Sequence, residues 1–516
     1  MENGESFKLG RGPFGISLSR AVVLVLLFTV AGAVETIRLS SLHDANVWVH
    51  LRLGDWILAN KTWPTTGLFS QDSNLAWRDF TWAADMVMAV AFRVLGLAAV
   101  PALWVVYRFL LAVVTFLLAG GSRENLWLPA LLTALAQYLL YGLGPLEAGN
   151  SALLFGVLLF VLIEVRRSRR LQHLFWLPLL FVVWANVELG FVYGIGLLLL
   201  FFGSLVVDGV GYGRKAQLAA ETPIGTTAVV AGACLLATLF SPYGYHSYST
   251  FFALQTSTAN KYLPAHTAMT FHQPQDYVLL LLTMAAFFSL GVKRSRDPFL
   301  FPVLVMCTVL SFHAQGENWL ATLAAIAVIG NELPAEEVAR FQPSVARFCW
   351  RELLLPAASS LVVLLFLYVL WVPRQRVVLL GRVSNDFPVR ACDYIRQHQL
   401  PAPLFNSYAW GGFLTWYLPE YPVAIDARRS LYPDDSETDY FKVMKVDIPY
   451  QSFPPMRQAR TFLLDRQSVM GDALRGLPGF QVAYRDSISI VLLREGETMA
   501  ASGGQTEEAA AAKTVP

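Results

Sequence analysis

Long apolar runs recur through the first 372 residues and limit what this chain can fold into. A helix needs about 20 mostly apolar residues to cross the hydrocarbon layer of a membrane, and eleven runs approach that length. They cover residues 16–34, 99–119, 126–143, 149–165, 171–187, 189–209, 225–242, 276–292, 298–315, 317–331 and 352–372. We therefore predict a mainly α-helical, polytopic transmembrane bundle of about eleven spans.

The composition excludes a single water-soluble globule and argues against nucleic-acid binding. Of the 516 residues, 55% are hydrophobic and only 15% are charged, whereas roughly 25% are charged in soluble domains. The mean hydropathy is +0.47. The net charge of +2 gives no basic excess with which to bind a polyanion. Membrane lipids are the expected surroundings, and no nucleic-acid partner is expected.

The basic residues predict the orientation in the membrane. Cytoplasmic loops carry an excess of Lys and Arg. With a cytoplasmic N-terminus, every basic cluster between spans lies on the cytoplasmic side, provided that residues 82–97 do not cross the membrane. Asp85 and Arg93 in this stretch suit an interfacial or re-entrant helix. The inside clusters are Arg123; Arg166, Arg167, Arg169 and Arg170; Arg214 and Lys215; Lys293, Arg294 and Arg296; and Arg340, Arg347 and Arg351. The C-terminal part is then extracytoplasmic.

Polar sequence collects on the predicted outer face. Residues 37–80, which we call the 37–80 segment, are expected to form a long outer loop, and residues 243–275 another. Seven of the eight histidines lie in outer segments: His43, His50, His246, His266, His272, His313 and His398. Two explanations of this distribution stay open. Polar residues must lie outside the membrane in any protein of this kind, or these segments share a functional cavity on the outer face.

The end of the chain predicts a small extracytoplasmic α/β domain over residues 373–495, which we call the tail domain. Its pattern indicates a helix at 388–399, strands at 403–407, 422–426 and 460–465, and a hairpin or terminal strand at 483–493. The transmembrane domain is expected to cover residues 1–372. Residues 496–516 have the composition of a disordered tail.

The 37–80 segment holds most of the candidate functional residues. Asp44 follows the first span and is either a helix N-cap or a catalytic or ligand-binding group. Trp48 and Trp56 suit an aromatic belt at the membrane surface. Arg52 and Asp55 have the spacing of a helical ion pair.

Motifs in this segment and in the tail domain resemble those of a known superfamily. The pattern Trp-x-His-x-Arg-x-Gly-x-Trp-Ile-Leu begins at Trp48, and further matching pieces lie at 184–186, 239–244, 405–414 and 425–428. With the acidic residue after the first span, they resemble bacterial polytopic proteins of the glycosyltransferase-C superfamily, in its polyprenyl-phosphate mannosyltransferase-like group. The resemblance covers most of the chain, from about residue 41 to 494.

The resemblance implies a transferase of the bacterial inner membrane that moves a sugar from a polyprenyl-phosphate carrier to an unknown acceptor on the outer face. Asp44 would be the catalytic base for the acceptor hydroxyl, and His50 and Arg52 would contact the phosphate or the acceptor. The remaining candidates for substrate binding are Asp55, Glu188, Glu317 and His313.

Three positions depart from the family pattern. Glu147, Glu188 and Glu317 lie at or beside positions where relatives carry cationic residues. Loss of these cations weakens the attraction for a phosphate. The donor could therefore differ, outer histidines such as His313 could compensate, or catalysis could be lost.

Cofactor and function have alternatives at this stage. The carboxylates of Asp44, Glu147, Glu188 and Glu317 could hold a divalent metal with the outer histidines, although no ligand set is spaced closely enough to assign one. The alternative to an enzyme is a non-catalytic scaffold of an envelope-polysaccharide system, with a protein partner on the tail domain. A transporter would show paired broken helices or repeated halves, which the sequence does not.

Two motifs of the tail domain also have two interpretations each. Trp410-Gly411-Gly412 suits either a backbone that approaches a ligand or a tightly packed turn. Asp426, Arg428 and Arg429 follow a predicted strand and suit either a ligand site or an ion pair that fixes the next loop.

The orientation can be tested with topology reporters fused after residues 170 and 400. The distribution of basic residues predicts a cytoplasmic signal at 170 and an extracytoplasmic signal at 400. An extracytoplasmic signal at residue 170 would contradict the predicted orientation.

Overall fold

Helices occupy the apolar runs of the first part of the chain. The structure, a computed structural model, describes residues 18–121, 126–146, 148–168, 170–210, 224–292, 297–332 and 350–495. The helices up to the tail domain are α1 (Leu18–Arg38), α2 (Asn46–Asn60), α3 (Trp82–Leu95), α4 (Ala99–Leu118), α5 (Trp127–Leu139), α6 (Gly149–Ser168), α7 (Leu177–Val187), α8 (Phe191–Val210), α9 (Ile224–Ala237), α10 (His246–Thr256), α11 (Pro274–Val292), α12 (Leu300–His313), α13 (Asn318–Glu332) and α14 (Trp350–Asp386).

Six helical stretches among the described residues are long and apolar enough to cross a membrane. They are Arg20–Arg38, Trp82–Leu118, Gly149–Ser168, Phe191–Asp208, Pro274–Val292 and Leu353–Trp371. Four further apolar stretches of 10–17 residues are shorter than a full span. The chain is therefore an α-rich membrane protein, while the number of eleven spans and the orientation stay predictions. Glu147, residues 496–516 and most of the basic residues between spans lie outside the described residues.

The stretch from Trp82 to Leu118 is interrupted rather than continuous. Helix α3 ends at Gly96, which has a positive φ of 60° that glycine adopts readily, and α4 begins at Ala99. Helix α4 then runs antiparallel to α1, with Phe28 of α1 in edge contact with Phe109 and Phe116 of α4. Whether α3 itself crosses the membrane stays a prediction.

Helix α13 forms the centre of the bundle. Every residue from Trp319 to Gly330 is buried, and the helix packs against α11 and α12. A helix that is apolar on all sides is stable only when neighbours surround it. The Trp319 ring lies edge-on to Phe155 of α6, with ring centroids 5.5 Å apart.

The 37–80 segment is not the long loop that the sequence predicts. It contains a short 3-10 helix, Ser40–His43, and the fifteen-residue helix α2. Trp48 is fully buried against Phe413 and Trp416 of the tail domain, so its assignment to a membrane-surface belt is wrong. The second expected loop, 243–275, likewise contains helix α10.

The tail domain is an α/β unit, as predicted. Its strands are β1 (Leu404–Asn406), β2 (Thr461–Asp465), β3 (Phe480–Arg485) and β4 (Ser489–Arg494), and its helices are α15 (Val389–Gln397), α16 (Tyr408–Tyr417), α17 (Asp434–Met444), α18 (Pro454–Gln458) and α19 (Val469–Arg475). The sheet order is β1-β2-β4-β3, with β1 parallel to β2 and the other pairs antiparallel. Helix α14 runs without a break across the predicted boundary at residue 372.

Residues 422–426 do not form the predicted strand. Their one ladder contact among the described residues is an isolated bridge between Val423 and Ser70 of the 37–80 segment. The predicted strands at 403–407 and 460–465 and the hairpin at 483–493 are confirmed by β1, β2 and the β3–β4 pair.

The two ambiguous motifs of the tail domain both serve packing. A Cβ on Gly411 would lie 2.2 Å from the Ile425 carbonyl oxygen, and one on Gly412 would lie 2.6 Å from the Ala45 carbonyl oxygen. Arg428 forms a buried ion pair with Asp426, with Nη2 and Oδ2 2.6 Å apart. It also donates to the Leu68 carbonyl, so it attaches the 37–80 segment to the tail domain.

The buried Asp426–Arg428 pair is expected to be essential for stability. Asp426→Asn leaves the Arg428 guanidinium buried without a countercharge, which costs about 3–5 kcal/mol of unfolding free energy. The matched variant Glu420→Gln removes the exposed pair with Arg396 and is expected to cost less than about 1 kcal/mol. Unfolding of the purified protein in mild detergent measures both, and equal losses would contradict this role.

Candidate functional site

Three adjoining cavities lie where α2 meets the bundle and the tail domain. The first, which we call the acidic cavity, has a volume of about 310 Å³ and is lined by Asp79, Glu188 and Glu317 among others. The second, which we call the Asp44 cavity, has a volume of about 560 Å³. The third has a volume of about 360 Å³ and lies between the end of α5 and the 3-10 helices Pro264–His266 and Gln315–Glu317. Asn46 and His266 line all three, so the cavities meet at this pair of residues.

A glycine allows α2 and α3 to approach closely enough to form the acidic centre. A Cβ on Gly54 would lie 2.0 Å from the Asp85 carbonyl oxygen, so a larger residue there would push the two helices apart. One turn earlier on α2, His50 reaches the Asp85 carboxylate, with Nδ1 and Oδ1 2.7 Å apart. Asp85 is fully buried, so this contact is shielded from water.

A second buried carboxylate belongs to the same centre. Thr81 donates to Asp79 through its hydroxyl at 2.8 Å and its backbone N–H at 3.1 Å. Both bonds reach Oδ1 of Asp79. The Oδ2 atoms of Asp79 and Asp85 are buried, and neither receives a hydrogen bond from the described residues.

The environment of Asp79 favours its protonated form. Burial, followed by the like charge of Asp85, raises the pKa of Asp79 well above its usual range. Two carboxylates that share a site cannot both ionise easily. The centre formed by His50, Asp79, Thr81 and Asp85 therefore takes up a proton at a higher pH than an exposed aspartate does.

Glu188 and Glu317 face the same cavity and make specific contacts in its wall. Glu188 accepts a hydrogen bond of 2.7 Å from the Ser151 backbone N–H in the first turn of α6, a position where a helix favours negative charge. Glu317 accepts from the Tyr193 hydroxyl at 2.9 Å.

Most cations in the cavity wall already have carboxylate partners. Arg428 pairs with Asp426, and Arg429 pairs with Glu437, with Nε and Oε1 3.3 Å apart. Arg78 lines the acidic cavity, is half-buried, and makes no hydrogen bond or ion pair with the described residues. Arg78 is thus the guanidinium available to an anionic ligand in this wall.

His266, at the junction of the three cavities, is held in its neutral form. Burial and then the nearby charge of Arg429 lower the pKa of His266 to about 4. A neutral imidazole can both donate and accept a hydrogen bond. His266 can therefore bind hydroxyl groups but supplies no positive charge to a phosphate at neutral pH.

The structure brings three of the residues predicted from sequence into one cavity. His50, Glu188 and Glu317 line the acidic cavity. Asp44 lines the neighbouring Asp44 cavity, and its Oδ1 accepts a 2.9 Å hydrogen bond from the Asn46 backbone N–H at the start of α2. Asp44 thus has the contact expected of a residue that stabilises a helix N-terminus.

The other predicted residues lie elsewhere. Arg52 lies over the Phe69 ring, and its pairing with Asp55 is wrong, because Asp55 binds Arg93 of α3, with Oδ1 and Nε 2.9 Å apart. His313 is exposed at the end of α12. Arg52, Asp55 and His313 are absent from the walls of all three cavities.

Sequence reasoning missed Asp79, Arg78 and the link between Asp85 and His50. Asp85 carried a usable signal, because an ionisable residue in an apolar stretch marks a functional position by default. Asp79 and Arg78 carried none, since they lie in a polar segment where charges are common.

No metal centre is evident in the part of the chain that the structure describes. No group of three or more His, Cys, Asp or Glu side chains there is arranged to hold a metal ion. His50 and Asp85 instead satisfy each other by a hydrogen bond.

Comparison with known proteins does not assign the chain to a family. No protein-family model matches it, and no curated protein was found to match it.

The buried carboxyl group of Asp79 should make stability depend on pH. Its pKa is raised in the folded protein, so the folded state binds this proton more tightly than the unfolded chain, and the resulting stability is lost as pH rises through the raised pKa. Asp79→Asn keeps the acceptor oxygen for Thr81 and removes the ionisation.

We expect Asp79→Asn to unfold at a higher temperature than the natural protein at pH 8, with a smaller difference at pH 5. Asp72→Asn, an exposed position in the same segment, is the matched control and should leave the unfolding temperature unchanged. Thermal unfolding in detergent measures the three proteins, and a destabilised Asp79→Asn at pH 8 would contradict the proposed cost of burying this charge.

Proposed function

We propose that this chain is an integral membrane glycosyltransferase that moves a sugar from a polyprenyl-phosphate carrier to an acceptor hydroxyl on the extracytoplasmic face of the bacterial inner membrane. The observation that carries the proposal is the acidic cavity, which is lined by Asp79, by His50 with its buried partner Asp85 behind it, and by the available guanidinium of Arg78. A base and a cation in one cavity are what sugar transfer from a phosphate carrier requires.

The reaction assigns a role to each part of this centre. The acceptor oxygen attacks the anomeric carbon of the sugar, the bond from that carbon to the phosphate oxygen breaks, and the bonding electrons leave with the polyprenyl phosphate. The acceptor proton passes to the centre formed by His50, Asp79 and Asp85. His50, whose Nδ1 contacts Asp85, is the proposed proton acceptor of this centre.

The sequence predicts Asp44 as the base. The contacts of Asp44 give a reason to propose the buried centre instead. Oδ1 of Asp44 accepts a hydrogen bond from the Asn46 backbone N–H at the start of α2. Asp79 and His50 line a cavity together with two further carboxyl groups, Glu188 and Glu317. We propose that these last two bind sugar or acceptor hydroxyls, to which carboxylates are strong acceptors.

Arg78 is the proposed contact for the donor phosphate. A phosphodiester carries one negative charge, and a guanidinium can bind two of its oxygens at once. The predicted role of Arg52 in this contact is reassigned in the proposal, because Arg52 lies outside the cavity over Phe69.

The tail domain is proposed to complete the acceptor side. Residues Ala427 to Ser430 form part of the wall of the acidic cavity. An acceptor or a partner protein bound to the tail domain would therefore lie close to Asp79.

One observation favours a second candidate, a non-catalytic scaffold of an envelope-polysaccharide system. With Arg428 and Arg429 paired to tail-domain carboxylates, Arg78 is left to face the carboxyl groups of Asp79, Glu188 and Glu317. An acidic cavity attracts an anionic donor weakly. In the scaffold, the tail domain would bind a protein partner and the cavity would be vestigial.

Mass spectrometry of lipid extracts distinguishes the two candidates. Cells that lack the protein are complemented with the natural chain, His50→Gln, Asp44→Asn or the control Asp72→Asn, each checked for insertion in the membrane. We expect a polyprenyl-phosphate sugar to accumulate in the deletion strain and to clear with the natural chain and Asp72→Asn. His50→Gln should reduce turnover by about 10²–10⁴-fold, the contribution of a general base.

The other outcomes distinguish between the two possible bases and between the enzyme and the scaffold. Loss of clearance with Asp44→Asn alone would place the base at Asp44, as the sequence predicts. Clearance by every variant, or an unchanged lipid profile in the deletion strain under conditions where the protein is made, would favour the scaffold.

A further inference from the structure

An apolar groove runs along the bundle between α1, α4 and α5, away from the three cavities. It has a volume of about 580 Å³, and its walls include Val23, Leu27, Val30 and Ala134. Val30 and Leu26 of α1 are each 58% exposed on this face. None of the residues that line the groove lines any of the three cavities, so the groove is a separate site.

Two arginines close one end of this groove. The guanidinium carbons of Arg38 and Arg108 both lie 5.1 Å from the centre of the Tyr141 ring. Arg38 is the last residue of α1 and of its candidate span. Lipid phosphates lie at the ends of spans, so Arg38 is at a depth where a headgroup can reach it.

The donors of this cluster are largely uncommitted among the described residues. Arg108 gives one N–H to the Leu140 carbonyl, with Nη1 and O 2.7 Å apart, which leaves most of its five N–H groups for a ligand. Arg38 makes no hydrogen bond or ion pair with the described residues. The Nε2 atom of Gln137, in the groove wall, is buried without a hydrogen-bond partner there.

The nearby carboxylate does not neutralise the two arginines. Glu35 accepts from the Ser40 hydroxyl at 2.5 Å and from the Ser41 backbone N–H at 2.8 Å, so both of its oxygens have partners. Two guanidiniums and one carboxylate leave a single net positive charge at the end of an apolar groove. This arrangement complements one negative charge attached to a hydrocarbon chain.

We propose that the groove binds an anionic glycerophospholipid, with an acyl chain between α1, α4 and α5 and the phosphodiester at Arg38 and Arg108. The lipid stabilises the packing of α1 on the bundle. The site goes beyond the proposed function and does not depend on it, because the donor phosphate of that function belongs at Arg78 in the acidic cavity.

Lipid binding to the purified full-length protein in neutral detergent tests the proposal. The probes are phosphatidylglycerol and phosphatidylcholine with identical acyl chains, and binding is followed by native mass spectrometry and by the unfolding temperature. We expect phosphatidylglycerol to bind more tightly and to raise the unfolding temperature more. Arg38→Gln should weaken phosphatidylglycerol binding about fivefold, the contribution of one basic residue near an anionic lipid, and weaken binding of the zwitterionic phosphatidylcholine less.

Two further variants keep the test independent of folding defects. Arg93→Gln removes an exposed arginine at the end of α3 and should behave as the natural protein. Ala134→Phe narrows the groove, leaves both arginines in place and should weaken both lipids. Equal binding of the two lipids by the natural protein, or unchanged selectivity in Arg38→Gln, would overturn the proposal. Binding of polyprenyl phosphate but not phosphatidylglycerol would also overturn it and assign the groove to the donor.

Discussion

The close packing of α2 on both sides is the constraint on which the rest of the structure depends. On one side Gly54 lies against the Asp85 backbone, and on the other Gly412 of the tail domain lies against the Ala45 carbonyl. Neither contact leaves space for a Cβ. The contact at Gly54 brings His50 to its carboxylate partner. The contact at Gly412 packs the tail domain against α2, next to the cavities. A bundle, a short helix and an α/β unit thereby form one site wall.

This architecture explains why residues distant in the sequence lie together. Asn186 of α7 accepts from the Trp82 indole at 3.0 Å and donates to the Phe240 carbonyl at 2.8 Å, and Tyr243 donates to the Pro64 carbonyl. The motif at 239–244 thus holds the 37–80 segment at Pro64, and the motif at 184–186 holds the first residue of α3. Their structural contacts account for these motif residues without a direct part in chemistry.

Local patterns in the sequence predicted the helices and the tail-domain strands because those depend on periodicity and apolar length. They failed for the 37–80 segment, since the side chains that bury Trp48 are Phe413 and Trp416, more than 350 residues later in the chain. The 37–80 segment, expected to be a surface loop, therefore contains a buried helix, α2. The acidic centre was missed for the same reason, because the contact between His50 and Asp85 exists only after α2 and α3 pack.

The central claim is that the acidic cavity, rather than the Asp44 cavity, receives the phosphate of a lipid carrier. Cryo-electron microscopy of the full chain in nanodiscs that contain polyprenyl phosphate tests it most directly. The account predicts phosphate density within hydrogen-bonding distance of Arg78, next to Asp79. Density beside Asp44, or a cavity without phosphate at saturating lipid, would contradict it.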